Sequence, residues 1–113
     1  MKRGQVVMVD WPFSDRTGSK VRPAVVVQAD FLNALIADTL LISVTGTTRR
    51  AARTEVVIDP AVDTRSGLRY RSVASCNNFL TTDQALILRT IGDLTAATLS
   101  QIDACLKLAL ELP

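Results

Sequence analysis

The chain has 113 residues, 48% of them hydrophobic, with 13 Lys/Arg against 11 Asp/Glu and no histidine. That length suits a single domain spanning residues 1–113 with a modest core, and the composition is too apolar for a disordered segment. No apolar run reaches the roughly 18 residues that cross a bilayer, and Met1-Lys2-Arg3-Gly4-Gln5 leads into a short stretch broken by Asp10, a poor signal peptide, so a cytoplasmic protein with no membrane partner is expected.

Charge is uneven along the chain. Residues 1–75 carry 11 Lys/Arg against 7 Asp/Glu, whereas residues 76–113 carry 2 against 4. The basic excess gathers in Arg49, Arg50, Arg53, Arg65, Arg69 and Arg71. A one-sided basic patch suits a polyanion, although ordinary solvated faces also carry clustered arginines. Cys76 and Cys105 lie far apart in a chain without histidine and cannot make a zinc site of ordinary spacing. They are expected to be reduced apolar fillers, and no metal or cofactor is expected.

The first predicted element is a strand, Gln5 to Trp11. Val7, Val9 and Trp11 share one face, and Val6, Met8 and Asp10 the other, so it is apolar on both faces until Asp10. Pro12 should stop it. Pro12 to Lys20 has turn composition and predicts a mobile loop, with Phe13 packed beneath it or meeting a partner. Next comes Val21-Arg22-Pro23-Ala24-Val25-Val26-Val27. Proline lacks an N–H and belongs at the first position of a strand, and it holds the residue before it extended. Arg22 is thereby fixed at the mouth of a buried strand. On these residues alone, a solvated cation there is the commoner case.

Asp30 can cap a short helix over Phe31 to Ala37, with Phe31, Leu35 and Leu32 facing inward; Asn33 caps or bends this piece instead. Thr39 to Val44 predicts a third strand. Thr45-Gly46-Thr47-Thr48 then offers hydroxyl and N–H donors to an anion, unless the hydroxyls bind their own backbone. Thr54 to Asp59 predicts a fourth strand. Asp63 to Arg71 turns at Ser66-Gly67, and arginines bracket Tyr70, which suits single-stranded nucleic acid as well as an ordinary hairpin. Ser72 to Phe79 predicts a fifth strand and Thr81-Thr82-Asp83 a single helical turn. Leu86 to Ile91 follows as a last strand, ended by Gly92. Thr95 should cap a final helix to about Leu112, with Leu99, Ile102, Leu106, Ala109 and Leu110 along one side, widened by Cys105, Leu108 and Leu112. A helix this apolar needs cover on more than one side. Many short strands and one terminal helix predict a small, strongly curved sheet or barrel.

The chemistry narrows by elimination. There is no histidine, no set of metal ligands and no Gly-rich phosphate loop, and a serine or cysteine nucleophile would lack its usual base. Arginine, threonine and scattered carboxylates remain. RNA brings its own nucleophile, the 2′-hydroxyl, so positioning and charge stabilisation suffice to cut it.

Several ordered segments together resemble the MazF/PemK/Kid toxins: Arg3-Gly4-Gln5-Val6-Val7, Val9-Asp10-Trp11-Pro12, Arg22-Pro23-Ala24-Val25-Val26-Val27, Asn33 and Thr47. Gly67-Leu68, Ser72-Val73, Leu80-Thr81-Thr82 and Ile91-Gly92-Asp93-Leu94 continue the match over essentially the whole chain. The resemblance implies a mainly β fold, an SH3-like small barrel with a C-terminal α-helix, and a homodimer. It also implies a metal-independent endoribonuclease acting on single-stranded RNA and silenced by a cognate antitoxin. Arg22 matches the family arginine at the scissile phosphate, and Thr47 the hydroxyl residue opposite it. Kid places an arginine and an aspartate two apart in its fifth strand as acid and base; Ser75 and Asn77 stand there here. The first-loop glutamate of other members is replaced by Thr17. The proton acceptor stays open, with Asp15 the nearest loop carboxylate. Lys20, Arg49, Arg50, Arg69 and Arg71 are candidates to track the RNA backbone, Trp11, Phe13 or Tyr70 to stack bases, and Asn77 and Asn78 to read a base edge. Two alternatives come with the fold. One is gyrase binding as in CcdB, disfavoured because the only tryptophan is at position 11 and not in the tail. The other is a non-catalytic member that only binds an antitoxin.

Overall fold

The computed structural model describes residues 1–113 throughout. Six strands, β1 (Gln5–Pro12), β2 (Ser19–Val26), β3 (Asp38–Gly46), β4 (Glu55–Ile58), β5 (Ser72–Asp83) and β6 (Arg89–Asp93), form one sheet in the order β4-β5-β3-β2-β1-β6. Every pairing is antiparallel. Helix α1 (Asp30–Leu35) joins β2 to β3, a single 3-10 turn (Gln84–Leu86) joins β5 to β6, and α2 (Ala96–Leu110) follows β6. The expected mainly β fold with a C-terminal helix is observed. The sheet stays open, with β4 and β6 as its two edges.

Both faces of the sheet carry a core, which is why β1 and β2 read as continuous apolar runs. On one face Val25, Ile42, Val44, Val56, Ile58 and Ala74 pack against Ile102 and Cys105 of α2. On the other, Val7, Val9, Trp11, Ala24, Val26 and Leu41 are closed over by Leu80 and Ile87. Cys76 and Cys105 are both buried free thiols. Burial, then the neighbouring Cys105, pushes the Cys76 thiol up to about 12.

Pro23 is not at the start of its strand but well inside β2, paired with Met8. The backbone explains why it is tolerated. Val26 accepts from Gly4 on the β1 side and Val27 donates to Leu40 of β3. Alternation therefore points the missing Pro23 N–H toward β3, where the ladder begins only at Ala24. Pro12 likewise stays paired, with Ser19, so the β1–β2 connection shrinks to Phe13–Gly18. It is a bonded turn, with the Phe13 N–H donating to Gly18 at 2.8 Å and Arg16 in the left-handed region at φ 62°.

Of the inward face predicted for α1 only Leu32 is half-buried; Phe31 is 70% and Leu35 74% exposed, and Asn33 is the buried residue. Its amide is held by the segments flanking the helix, accepting from Thr39 at 2.7 Å and Gln28 at 2.9 Å. Asp30 does not cap the helix; it accepts the Arg3 N–H at 2.6 Å. Arg3 also pairs with Asp103 of α2 at 2.6 Å.

The fifth strand runs past Phe79 to Asp83 because it pairs with β3 on both sides of a bulge. Ile42 faces Phe79 and Ser43 faces Ser75, so Cys76, Asn77 and Asn78 are extruded opposite one step of β3. The 59–71 segment is anchored by Asp63, which is buried and accepts from the Thr95 N–H at 2.7 Å and the Thr98 hydroxyl at 2.6 Å. Thr95 caps α2 as expected, accepting from the Thr98 N–H at 3.2 Å. Gly67, at φ 75°, and Gly92 permit backbone-on-backbone packing: a Cβ at Gly67 would lie 2.2 Å from the Ile91 carbonyl oxygen, and one at Gly92 2.0 Å from that of Arg65. At its far end α2 leaves Leu108, Leu110 and Leu112 exposed.

Candidate functional site

Arg22 sits on β2 opposite Val9, in the same side-chain row as Ala24 and Val26. It therefore extends the Trp11 side of the core as its polar end. Its Nε is buried and has no hydrogen-bond partner in the protein, and the guanidinium makes neither of the chain's two ion pairs. A buried donor without an acceptor costs about 1–3 kcal/mol. The cavity around it, about 270 Å³, is lined by Trp11, Pro12, Phe13, Ser14, Asp15, Arg22 and Asn78. Five of the residues singled out in the sequence thus converge.

Their presentation differs from expectation in detail. Trp11 is only 5% exposed and forms the cavity floor, leaving no free face for stacking. Phe13 is 42% exposed and its ring packs over Gly18. The Asp15 carboxylate accepts from the Thr17 N–H at 3.0 Å and the Thr17 hydroxyl at 2.8 Å. Those bonds, the backbone one foremost, hold its pKa below the usual aspartate value.

Ser14 and Asn78 also line a neighbouring cavity of about 550 Å³, shared with Arg49, Thr54, Glu55, Ser75 and Asn77. Here the extruded amides find partners: Asn78 donates to the Ser43 hydroxyl at 3.0 Å and Asn77 accepts from Thr54 at 3.1 Å. Arg49 grips Glu55 with two parallel bonds of 2.7 and 2.8 Å, and the Ala52 N–H adds a third. Arg49, then Ala52, hold the Glu55 carboxyl at about 2.

Arg49 in turn borders a third cavity, about 820 Å³, with Gly46, Thr47, Thr48, Tyr70 and Arg71. The Thr47 hydroxyl accepts from the Arg49 N–H at 3.1 Å, which leaves its own proton free to donate outward. Arg71 braces this loop, donating to the carbonyls of Arg49 at 2.8 Å and Thr47 at 3.4 Å. Arg22 and Thr47 therefore line different cavities, connected through Asn78 and Arg49.

Of the predicted backbone-tracking cations, Arg49 and Arg71 have protein acceptors, while Lys20, Arg50 and Arg69 are exposed and outside any ion pair. Tyr70 is 72% exposed. Ser14 and Glu55 were not singled out in the sequence. Glu55 carries a usable signal, a lone acid opening a strand six residues after Arg49; Ser14 carries none. No group of three His, Cys, Asp or Glu side chains is placed to hold a metal.

Comparison with known proteins bears on this arrangement. The family model described as PemK-like, MazF-like toxin of type II toxin-antitoxin system matches residues 2–110. Among solved structures, a mycobacterial endoribonuclease in complex with its cognate antitoxin superposes with a TM-score of 0.82 at 27% identity, covering 100% of this chain and 97% of that one. The Mycobacterium tuberculosis toxin MazF-mt6 gives 0.73 at 26% identity, covering 95% and 98%. The MazE–MazF complex of Deinococcus radiodurans, at 17% identity and a TM-score of 0.76 over 100% and 98%, shares the fold. Among curated protein sequences none is a significant match. With the family model spanning nearly every residue and the fold shared throughout, the chain belongs to the PemK-like, MazF-like toxins of type II toxin–antitoxin systems.

Proposed function

We propose that this chain is a sequence-specific, metal-independent endoribonuclease of the cytoplasm that cuts single-stranded RNA. The observation that carries this is the Arg22 guanidinium, which belongs to neither ion pair and lines a cavity together with Asp15, Ser14 and Asn78. A scissile phosphate would supply the acceptor the protein withholds. Arg22 then offsets the charge that builds on phosphorus and hydrogen-bonds the leaving 5′-oxygen. Asp15, the only carboxylate lining that cavity, takes the 2′-hydroxyl proton as the 2′-oxygen attacks phosphorus. The phosphorus–5′-oxygen bond breaks, the 5′-oxygen takes a proton from solvent, and a 2′,3′-cyclic phosphate and a 5′-hydroxyl remain. Thr47 donates its free O–H to a phosphate oxygen on the adjoining stretch of strand. Asn77 and Asn78 read a base edge.

Homodimer formation and a cognate antitoxin belong to the same proposal. The first is supported by the apolar surface left at Phe31, Leu35, Leu108, Leu110 and Leu112, and the second by the mycobacterial relative described as a complex with its antitoxin.

The test is to incubate pure protein with a long RNA and a chelator and to map the ends. Discrete cuts bearing cyclic phosphates are expected, and folded Arg22→Ala protein should lose at least about 100-fold in rate. Undiminished cutting by that variant would remove Arg22 from the mechanism. Absence of cuts with antitoxin binding retained would establish a non-catalytic binding member, an arrangement consistent with Ser75 and Asn77 standing where Kid titrates.

A further inference from the structure

We infer that a second nucleotide-binding subsite lies on the opposite face of the sheet from Arg22, built by Arg69, Tyr70 and Arg89 over Met8, Pro23 and Ile91; it rests on the RNA-substrate proposal above. Strand register places it. Arg89 of β6 faces Met8 of β1, which faces Pro23 of β2, a single row across three strands. Side chains alternate along a strand, so this row points away from the Val9–Arg22 pair one residue along. The glycine contacts bring the other wall into place. Close backbone packing at Gly67 and Gly92 lays residues 65–68 along β6 and carries Arg69 and Tyr70 to the side of Arg89. Together these residues enclose a groove of about 480 Å³.

Its chemistry selects an anion attached to a flat ring. Two guanidiniums line it, no carboxylate does, and neither arginine belongs to an ion pair. Tyr70 is 72% exposed and Met8, Pro23 and Ile91 give an apolar floor. Stacking on an aromatic ring beside arginine is how single-stranded nucleic acid is held without base pairing. The groove is also continuous with the proposed cutting path: Gly46 and Tyr70 line both it and the Thr47 cavity. That continuity favours an RNA strand over an acidic peptide. RNA bound at Arg22 would pass Asn78 and Arg49, round the end of β3 at Gly46, and place a further nucleotide here. Nothing approaches within 4 Å of a Cβ built at Gly46, so a larger side chain there would fit the fold yet stand in the passage.

Nested RNAs provide the test, centred on one mapped cut or, where there is no cutting, on the stretch the protein shields from chemical probing, one long enough to reach the groove and one truncated before it, assayed by cleavage and by fluorescence anisotropy. Arg89→Ala should raise KM for the long RNA without lowering kcat and flatten the salt dependence of log(kcat/KM) by about 0.7, one phosphate contact. It should leave the short RNA unaffected. Tyr70→Ala should raise KM for the long RNA by at least about 5-fold, the loss of one stacked base, and Gly46→Leu should do the same while remaining folded. Equal KM values for wild type and an Arg69→Ala/Arg89→Ala double variant on the long RNA would overturn the subsite. So would a double variant that keeps RNA affinity but loses affinity for a synthetic Glu/Leu peptide. If wild type cuts nothing yet binds the long RNA more tightly than the short one through Arg89, the subsite stands and the nuclease proposal falls; if it binds both alike, the subsite falls too.

Discussion

Replacing Glu55 with glutamine keeps the side chain's shape and one hydrogen bond to Arg49 but removes the charge. The Glu55 carboxyl sits at about 2 against an ordinary 4.5, because Arg49 and the Ala52 N–H bind its ionised form. A gap of about 2.5 pH units corresponds to a ceiling of roughly 3.4 kcal/mol. Arg49 is 56% exposed, so solvent screening reduces this to about 1–2 kcal/mol. The pKa is lowered in the folded state, so the contribution is complete above about pH 5 and disappears as pH falls through 4.5 toward 2. Urea unfolding followed by circular dichroism at pH 5.5, 4, 3 and 2 measures this. Wild type should lose about 1–2 kcal/mol more than Glu55→Gln across that range, other carboxylates cancelling in the comparison, and 1 M salt should shrink the difference. A wild-type advantage of the same size at pH 5.5 and pH 2 would refute the assignment of the stabilisation to this ion pair.

Asp15→Asn should reduce RNA cleavage by about 100-fold, the lower end for a general base, while leaving the urea unfolding midpoint unchanged because the residue is exposed. The wild-type rate should stay flat down to about pH 5, since the hydrogen bonds from Thr17 hold the Asp15 carboxyl below the usual aspartate range. Asp63→Ala strands the Thr95 N–H and the buried Thr98 hydroxyl, at a cost of about 2–4 kcal/mol in urea unfolding, with Asp63→Asn recovering part of it. Gly67→Ala forces a Cβ onto the Ile91 carbonyl at positive φ and should cost at least about 2 kcal/mol by the same measurement.

What was legible in the sequence depended on local signals. The double-sided valine runs of β1 and β2 announce a sheet buried on both faces, and Thr95 marks the start of α2, because hydrophobic periodicity and caps act over a few residues. Phe31 and Leu35 were misjudged for the converse reason. A six-residue helix has little face to bury, and the contact that decided its orientation is Asn33, satisfied by Gln28 and Thr39. Pro23 misled because its lost N–H matters only if a partner strand reaches it, and the pairing of β2 with β3 ends at Ala24 opposite Ser43. At the site, Arg22, Phe13, Asp15 and Asn78 were identifiable from residue type and resemblance. The arginines are all candidates to track RNA by residue type, yet Arg49 and Arg71 are spent on Glu55 and on loop carbonyls. No spacing rule reveals where a long side chain finds its acceptor.

The paired thiols have a practical consequence. With Cys76 fully buried at a pKa of about 12 and Cys105 only 8% exposed, neither sulfur is open to an alkylating reagent while the sheet and α2 remain docked. Labelling by iodoacetamide at neutral pH therefore keeps time on the opening of α2 from the sheet, with both residues serving as a native stopwatch that requires no engineered probe.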